Sequence, residues 1–71
     1  MTLKNLEEDQ RARVVSIYGG SSLRQKLALR GISEGVSLKV VSTRGPVTVN
    51  IDGNIVTIGR GMAGKIRVRK T

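Results

Sequence analysis

Catalysis and metal binding begin with side chains that attack, move protons or donate lone pairs. This chain has few of them. Its 71 residues include no His and no Cys. The usual general base, the usual transition-metal ligand and any side chain that titrates near neutrality are therefore missing. Thiolate metal sites and disulfides go with them. The carboxylates are Glu7, Glu8, Asp9, Glu34 and Asp52. The first three are consecutive, and adjacent side chains in a turn rarely converge on one ion, so they read as a solvated turn. Asp52 lies in "DGN" between two alternating apolar segments, where a short polar side chain serves the turn itself. No nucleophile–base pair can be assembled, and the expectation is a non-enzymatic protein with no cofactor and no metal site of its own. "GGSS" at 19–22 resembles a phosphate loop only in its glycines. It lacks the Lys-Ser/Thr of a P-loop and the spacing of a dinucleotide fingerprint, which leaves at most an anion at a helix N-terminus.

What the chain has in abundance is positive charge. Thirteen basic residues face five acidic ones, for a formal net charge of +8. From Gln10 onward twelve basic residues oppose only Glu34 and Asp52, a net of +10. Such a field suits an acidic protein surface, a nucleic acid or an anionic membrane. Tyr18 is the only aromatic residue. Single-strand binders built on small barrels use several stacking platforms, so nucleic-acid binding is the alternative reading rather than a dedicated role.

The elements that must carry these groups follow from periodicity. Leu3 and Leu6 are one helical turn apart in a lead-in segment. "RARVVSIY" (11–18) is rich in β-branched residues and ends at Gly19-Gly20, the pattern of a strand. Ala12 and Val14 share one face while Val15 and Ile17 share the other. One face is mixed, or a bulge resets the register. A short helix is expected over about Ser22–Arg30, capped by the hydroxyl of Ser21 or Ser22 and closed by Gly31 in the left-handed conformation. Leu23, Leu27 and Arg30 form its stripe, with Lys26 at the edge and Leu29 off it. The reading adopted is that the helix ends before Leu29 and the chain turns this leucine inward; the other is an exposed apolar contact.

"SEG" (33–35) signals a turn before a strand with Val36, Leu38 and Val40 on one face. The stretch "RGPVTVNIDGNIVTIG" (44–59) is a hairpin whose two-residue loop is either Asp-Gly or Gly-Asn. Both registers put Val47, Val49, Ile51, Val56 and Ile58 on one face. A tight Gly-rich turn then brings Met62 and Ala63 to plug a barrel end, ahead of a last strand with Ile66 and Val68. The sum is a single domain over 1–71. It is mainly β, a small closed or half-closed barrel of about five antiparallel strands with one or two short helices. No apolar h-region opens the chain and no run is long enough to span a bilayer, so a cytoplasmic location is expected.

The order of these stretches resembles the FeoA family of ferrous-iron transport. It runs from Leu3 and Leu6 through "RARVVSIYGG", "LRQKLALRGISEG" and "GPVTVNIDGNIVTIGRGMAGKIRV", covering about residues 2–69. Arg30 and Asp9 depart from the family pattern, standing where an apolar residue and a turn Gly are common. The resemblance implies an SH3-like barrel and an accessory protein acting beside a FeoB-type membrane permease with a cytosolic G-protein domain. It also implies a protein-interaction module, as a monomer or weak homo-oligomer. The candidate partner-binding residues are those of the basic helix: Arg24, Lys26, Leu29 and Arg30. They would meet an acidic or mixed protein surface, with proximity to anionic lipid also suited to them. The competing reading is that these charges only keep the helix soluble.

Overall fold

The computed structural model describes residues Met1–Thr71. Five strands, β1 (Arg11–Ile17), β2 (Ser37–Ser42), β3 (Val47–Ile51), β4 (Asn54–Ile58) and β5 (Ile66–Lys70), form one antiparallel sheet in the order β4-β3-β2-β1-β5. Helix α1 (Ser21–Leu29) links β1 to β2, and a one-turn helix α2 (Arg60–Ala63) links β4 to β5. A 3-10 turn over Leu3–Asn5 precedes β1. The expectation of a mainly β, SH3-like barrel of five antiparallel strands is met. The Gly-rich connection at 59–64 is a helical turn rather than a tight loop.

β2 is the strand on which the sheet folds over. Its first half pairs with β1 (Ala12 opposite Leu38), and its second half pairs with β3 (Val40 opposite Val49). A register shift between Val40 and Ser42 marks the bend. A second shift between Val14 and Ser16, opposite β5, resolves the conflict of faces in β1. The extra residue lets Ala12, Val14 and Ile17 all reach the interior while Val15 is turned out. Bulges of this kind bend and twist a strand, which a sheet of this size needs in order to curl over its own core.

Sixteen buried hydrophobic residues make one cluster, and no polar side chain is buried with them. Every strand contributes, through alternate positions such as Val47, Val49 and Ile51 of β3. Leu3 and Leu6 of the lead-in, Leu27 of α1 and Ala63 of α2 close the ends. Met62 is only partly buried against the cluster, so Ala63 is the tighter plug of the two.

The hairpin takes the Asp-Gly register. Ile51 pairs with Asn54 and Val49 with Val56. Asp52 has φ 51° and Gly53 φ 85°, the two positive values that a two-residue loop needs to match the strand twist. The Gly53 N–H donates to Asn50 Oδ1 at 2.9 Å and ties the loop to β3.

Both sheet edges are occupied. At the β5 edge, Thr2 forms a bridge with Arg67, and the Val68 N–H donates to the Met1 carbonyl at 3.0 Å. At the β4 edge, Arg30, the C-cap of α1, donates from Nη1 to the Thr57 carbonyl at 3.1 Å. Hydrogen bonds taken up at an edge in this way blunt its tendency to pair with another chain.

Candidate functional site

Helix α1 carries Arg24, Lys26 and Leu29, and its C-cap is Arg30, the fourth residue expected to meet a partner. It begins one residue earlier than the pattern suggested. Its N-cap is Gly20, with no side-chain hydrogen bond, so neither Ser21 nor Ser22 caps it. The expected closure holds: Gly31 has φ 85°, and its N–H donates to the Ala28 carbonyl at 2.9 Å. The Ile32 N–H reaches the Leu27 carbonyl at 2.9 Å, which leads the chain back so that Ile32 is fully buried.

This closure decides the fate of Leu29. The inward turn expected for it does not occur, because the helix continues through Leu29 and the reversal comes after Arg30. Leu27 already fills the core position, at 1% exposure. Leu29 lies two residues on, about 200° around a helix. It is 89% exposed, the most exposed of the large apolar side chains.

The three basic residues of the helix separate by function. Arg24 donates from Nη2 to the Ile17 carbonyl at 3.2 Å, pinning the first half of α1 to the end of β1. Arg30 is held on Thr57 at the other end. The Lys26 side chain makes no hydrogen bond or ion pair and is exposed. The structure gathers Lys26, Leu29 and Arg30 around an open depression of about 490 Å³, whose far wall is Gly59 and Met62. Arg24 is on the opposite flank, in a second depression with Gln25, Ala28, Ile32 and Glu34. Three of the four residues thus share one depression, and Arg24 stands apart from it.

Gly59 and Met62 were not expected there. Nothing in their local pattern signals it, because they reach the helix only through the packing of the β4–α2 junction. The carboxylates do not assemble either. No three of them lie close enough together to hold a metal ion. Asp9, with φ 69°, takes the left-handed turn conformation for which a glycine is common, and its one ionic contact is to Lys39 at 3.9 Å.

Fold and site together define a small SH3-like barrel with an outward helix face that presents an exposed leucine, an unpaired lysine and an anchored arginine. The profile of the FeoA domain matches residues 1–70. The chain belongs to the FeoA family. It is 38% identical over 63 residues to a Methanocaldococcus jannaschii protein provisionally named Fe(2+) transport protein A, covering 87% of this chain and 77% of that protein. It superposes on the crystal structure of an iron uptake regulatory protein, FeoA, with a TM-score of 0.92 and 34% identity, covering 99% of this chain and 95% of the other. It also matches a manganese-dependent transcriptional repressor with a TM-score of 0.92 and 26% identity; there all of this chain is covered but only 36% of the repressor. The same barrel therefore occurs both as most of a small chain and as one part of a larger one. No helix of the structure is long and apolar enough to cross a membrane.

Proposed function

We propose that this chain is a non-enzymatic accessory protein of ferrous-iron uptake, acting as an interaction module on the cytosolic side of a FeoB-type permease. Membership of the FeoA family, together with the name of its Methanocaldococcus jannaschii relative, supports the iron-uptake role. The observation that carries the docking role is Leu29, 89% exposed beside an unpaired Lys26. Leu29 does not stand alone: with the partly buried Met62 it borders the open depression beside Lys26 and Arg30, an apolar spot edged by positive charge that a partner side chain can fill. Lys26 would steer an acidic patch of that partner, Leu29 would supply the buried anchor, and Arg24 and Arg30 would hold the helix in place.

Titration of the purified chain against the cytosolic domain of a FeoB-type permease tests this reading. Saturable binding is expected, weakened about ten-fold or more in Leu29→Glu and less in Lys26→Gln. Absence of binding to both the cytosolic domain and the detergent-solubilised permease would refute it.

A further inference from the structure

Apart from Arg44, in the connection between β2 and β3, the arginines of this chain fall into two groups. Arg24, Arg30 and Arg60 each donate to backbone carbonyls and so serve the fold. Those on the outer face of β1 and β5 do not. The side chains of Arg11, Arg13, Arg67 and Arg69 are exposed and make no hydrogen bond or ion pair. The register sets them against each other. Arg13 is directly opposite Arg69, and Arg11 is directly opposite Lys39 of β2. Like charges at directly opposed positions destabilise a sheet. Only the 3.9 Å contact between Lys39 and the highly exposed Asp9 offsets them.

The same face also exposes apolar groups. Val15, pushed outward by the β1 bulge, is 45% exposed, Met1 51% and Tyr18 60%. Val15 and Met1 line one shallow depression with Arg67 and Arg69. The Arg67 guanidinium lies over the Tyr18 ring, 5.9 Å from its centroid. Cations interleaved with half-exposed apolar side chains and a tyrosine are the composition of a surface that rests on lipid headgroups. A nucleic acid would answer the charge but not the apolar groups, and Tyr18 offers only one stacking platform.

We propose that the outer face of β1 and β5, centred on Arg13 and Arg69, is a docking surface for an anionic lipid bilayer. It shares no residue with the helix site and does not depend on the permease reading. Arg11, Arg13, Lys39, Arg67 and Arg69 neutralise headgroup charge, and Val15, Met1 and Tyr18 settle at the headgroup boundary.

The test is co-sedimentation of the full chain with phosphatidylglycerol/phosphatidylcholine vesicles and with pure phosphatidylcholine vesicles. Binding is expected only with the anionic lipid, and it should fall steeply between about 0.05 and 0.3 M salt as screening shortens. Each basic residue at such a surface contributes on the order of five-fold in partitioning. Arg13→Gln/Arg69→Gln should therefore lose about 25-fold, and Lys26→Gln on α1 less than about two-fold. Circular dichroism and thermal unfolding report whether the double variant is folded. Its melting point should not fall, because an opposed like-charge pair is being removed. Failure to bind anionic vesicles at low salt overturns the proposal. So does an equal loss in Lys26→Gln, which would make binding a matter of net charge alone. Tighter binding of an RNA oligonucleotide or poly-glutamate than of anionic vesicles at the same salt would overturn it in favour of that partner.

Discussion

Replacing Leu29 by alanine, with Leu27→Ala alongside, separates surface from core on a single helix. Fully burying a leucine is worth about 1.5–3 kcal/mol. Leu29 is 89% exposed, so about a tenth of that, roughly 0.2–0.3 kcal/mol, is at stake on folding. Alanine is also at least as good a helix former as leucine, which offsets the loss. Leu27 is 1% exposed and sits in the core cluster. Its truncation removes the transfer energy and leaves a cavity, at a cost of about 2–5 kcal/mol. At about 4–8 °C per kcal/mol for a domain of this size, Leu29→Ala should hold its melting point within about 2 °C while Leu27→Ala falls by 10 °C or more. Urea unfolding followed by circular dichroism provides an independent measure at 25 °C. If Leu29 also anchors a partner, Leu29→Ala should weaken that complex by about ten-fold or more with the fold unchanged. A stability loss above about 1 kcal/mol in Leu29→Ala would refute the reasoning, since it would mean that the chain turns this leucine inward after all.

Three further outcomes are expected. In the hairpin, Gly53→Ala should cost about 1–2 kcal/mol through its positive φ alone, because a Cβ there meets nothing within 4 Å; Asp52→Asn should be neutral or slightly stabilising. At the start of α1, Gly19→Ala should destabilise by about 1–3 kcal/mol, since φ is 141° and the added Cβ would lie 2.6 Å from Leu23 Cδ2, whereas Gly20→Ser should gain a few tenths by supplying the missing N-cap; urea unfolding of both variants checks the pair. Anaerobic addition of ferrous iron should leave the melting point within about 1 °C, because no three carboxylates converge; a saturable rise would show a site that the geometry does not contain.

Much of the barrel is written in local patterns. Alternation in β3 and β4 names the core residues whichever loop register is chosen, and the Asp-Gly pair was one of only two candidates. The conflict of faces in β1, Ala12 and Val14 against Val15 and Ile17, left either a mixed face or a bulge, and the sheet takes the bulge. The candidate site was less visible. Residues 24, 26, 29 and 30 could be grouped because they lie on one helix and its C-cap, but nothing local told Arg24 and Arg30, held on carbonyls, from the unpaired Lys26. Met62 and Gly59 join the depression from a segment about thirty positions away, and no pattern within either segment could predict that meeting.

The sequence alone determined what the protein is made to bury and what it lacks. Period-two apolar runs, turn residues with positive φ, the absence of His and Cys, and the family pattern are all properties of residue types at short spacing, where sterics and burial act directly. Tertiary structure decided which way each charged or apolar surface group points and what it faces. Leu29 is exposed because Leu27 and Ile32 take the interior positions on either side of the helix closure. Arg13 confronts Arg69 because β5, the last strand, returns beside the first. Such juxtapositions depend on strand order and on which carbonyls lie within a side chain's reach, and these exist only once the sheet has curled.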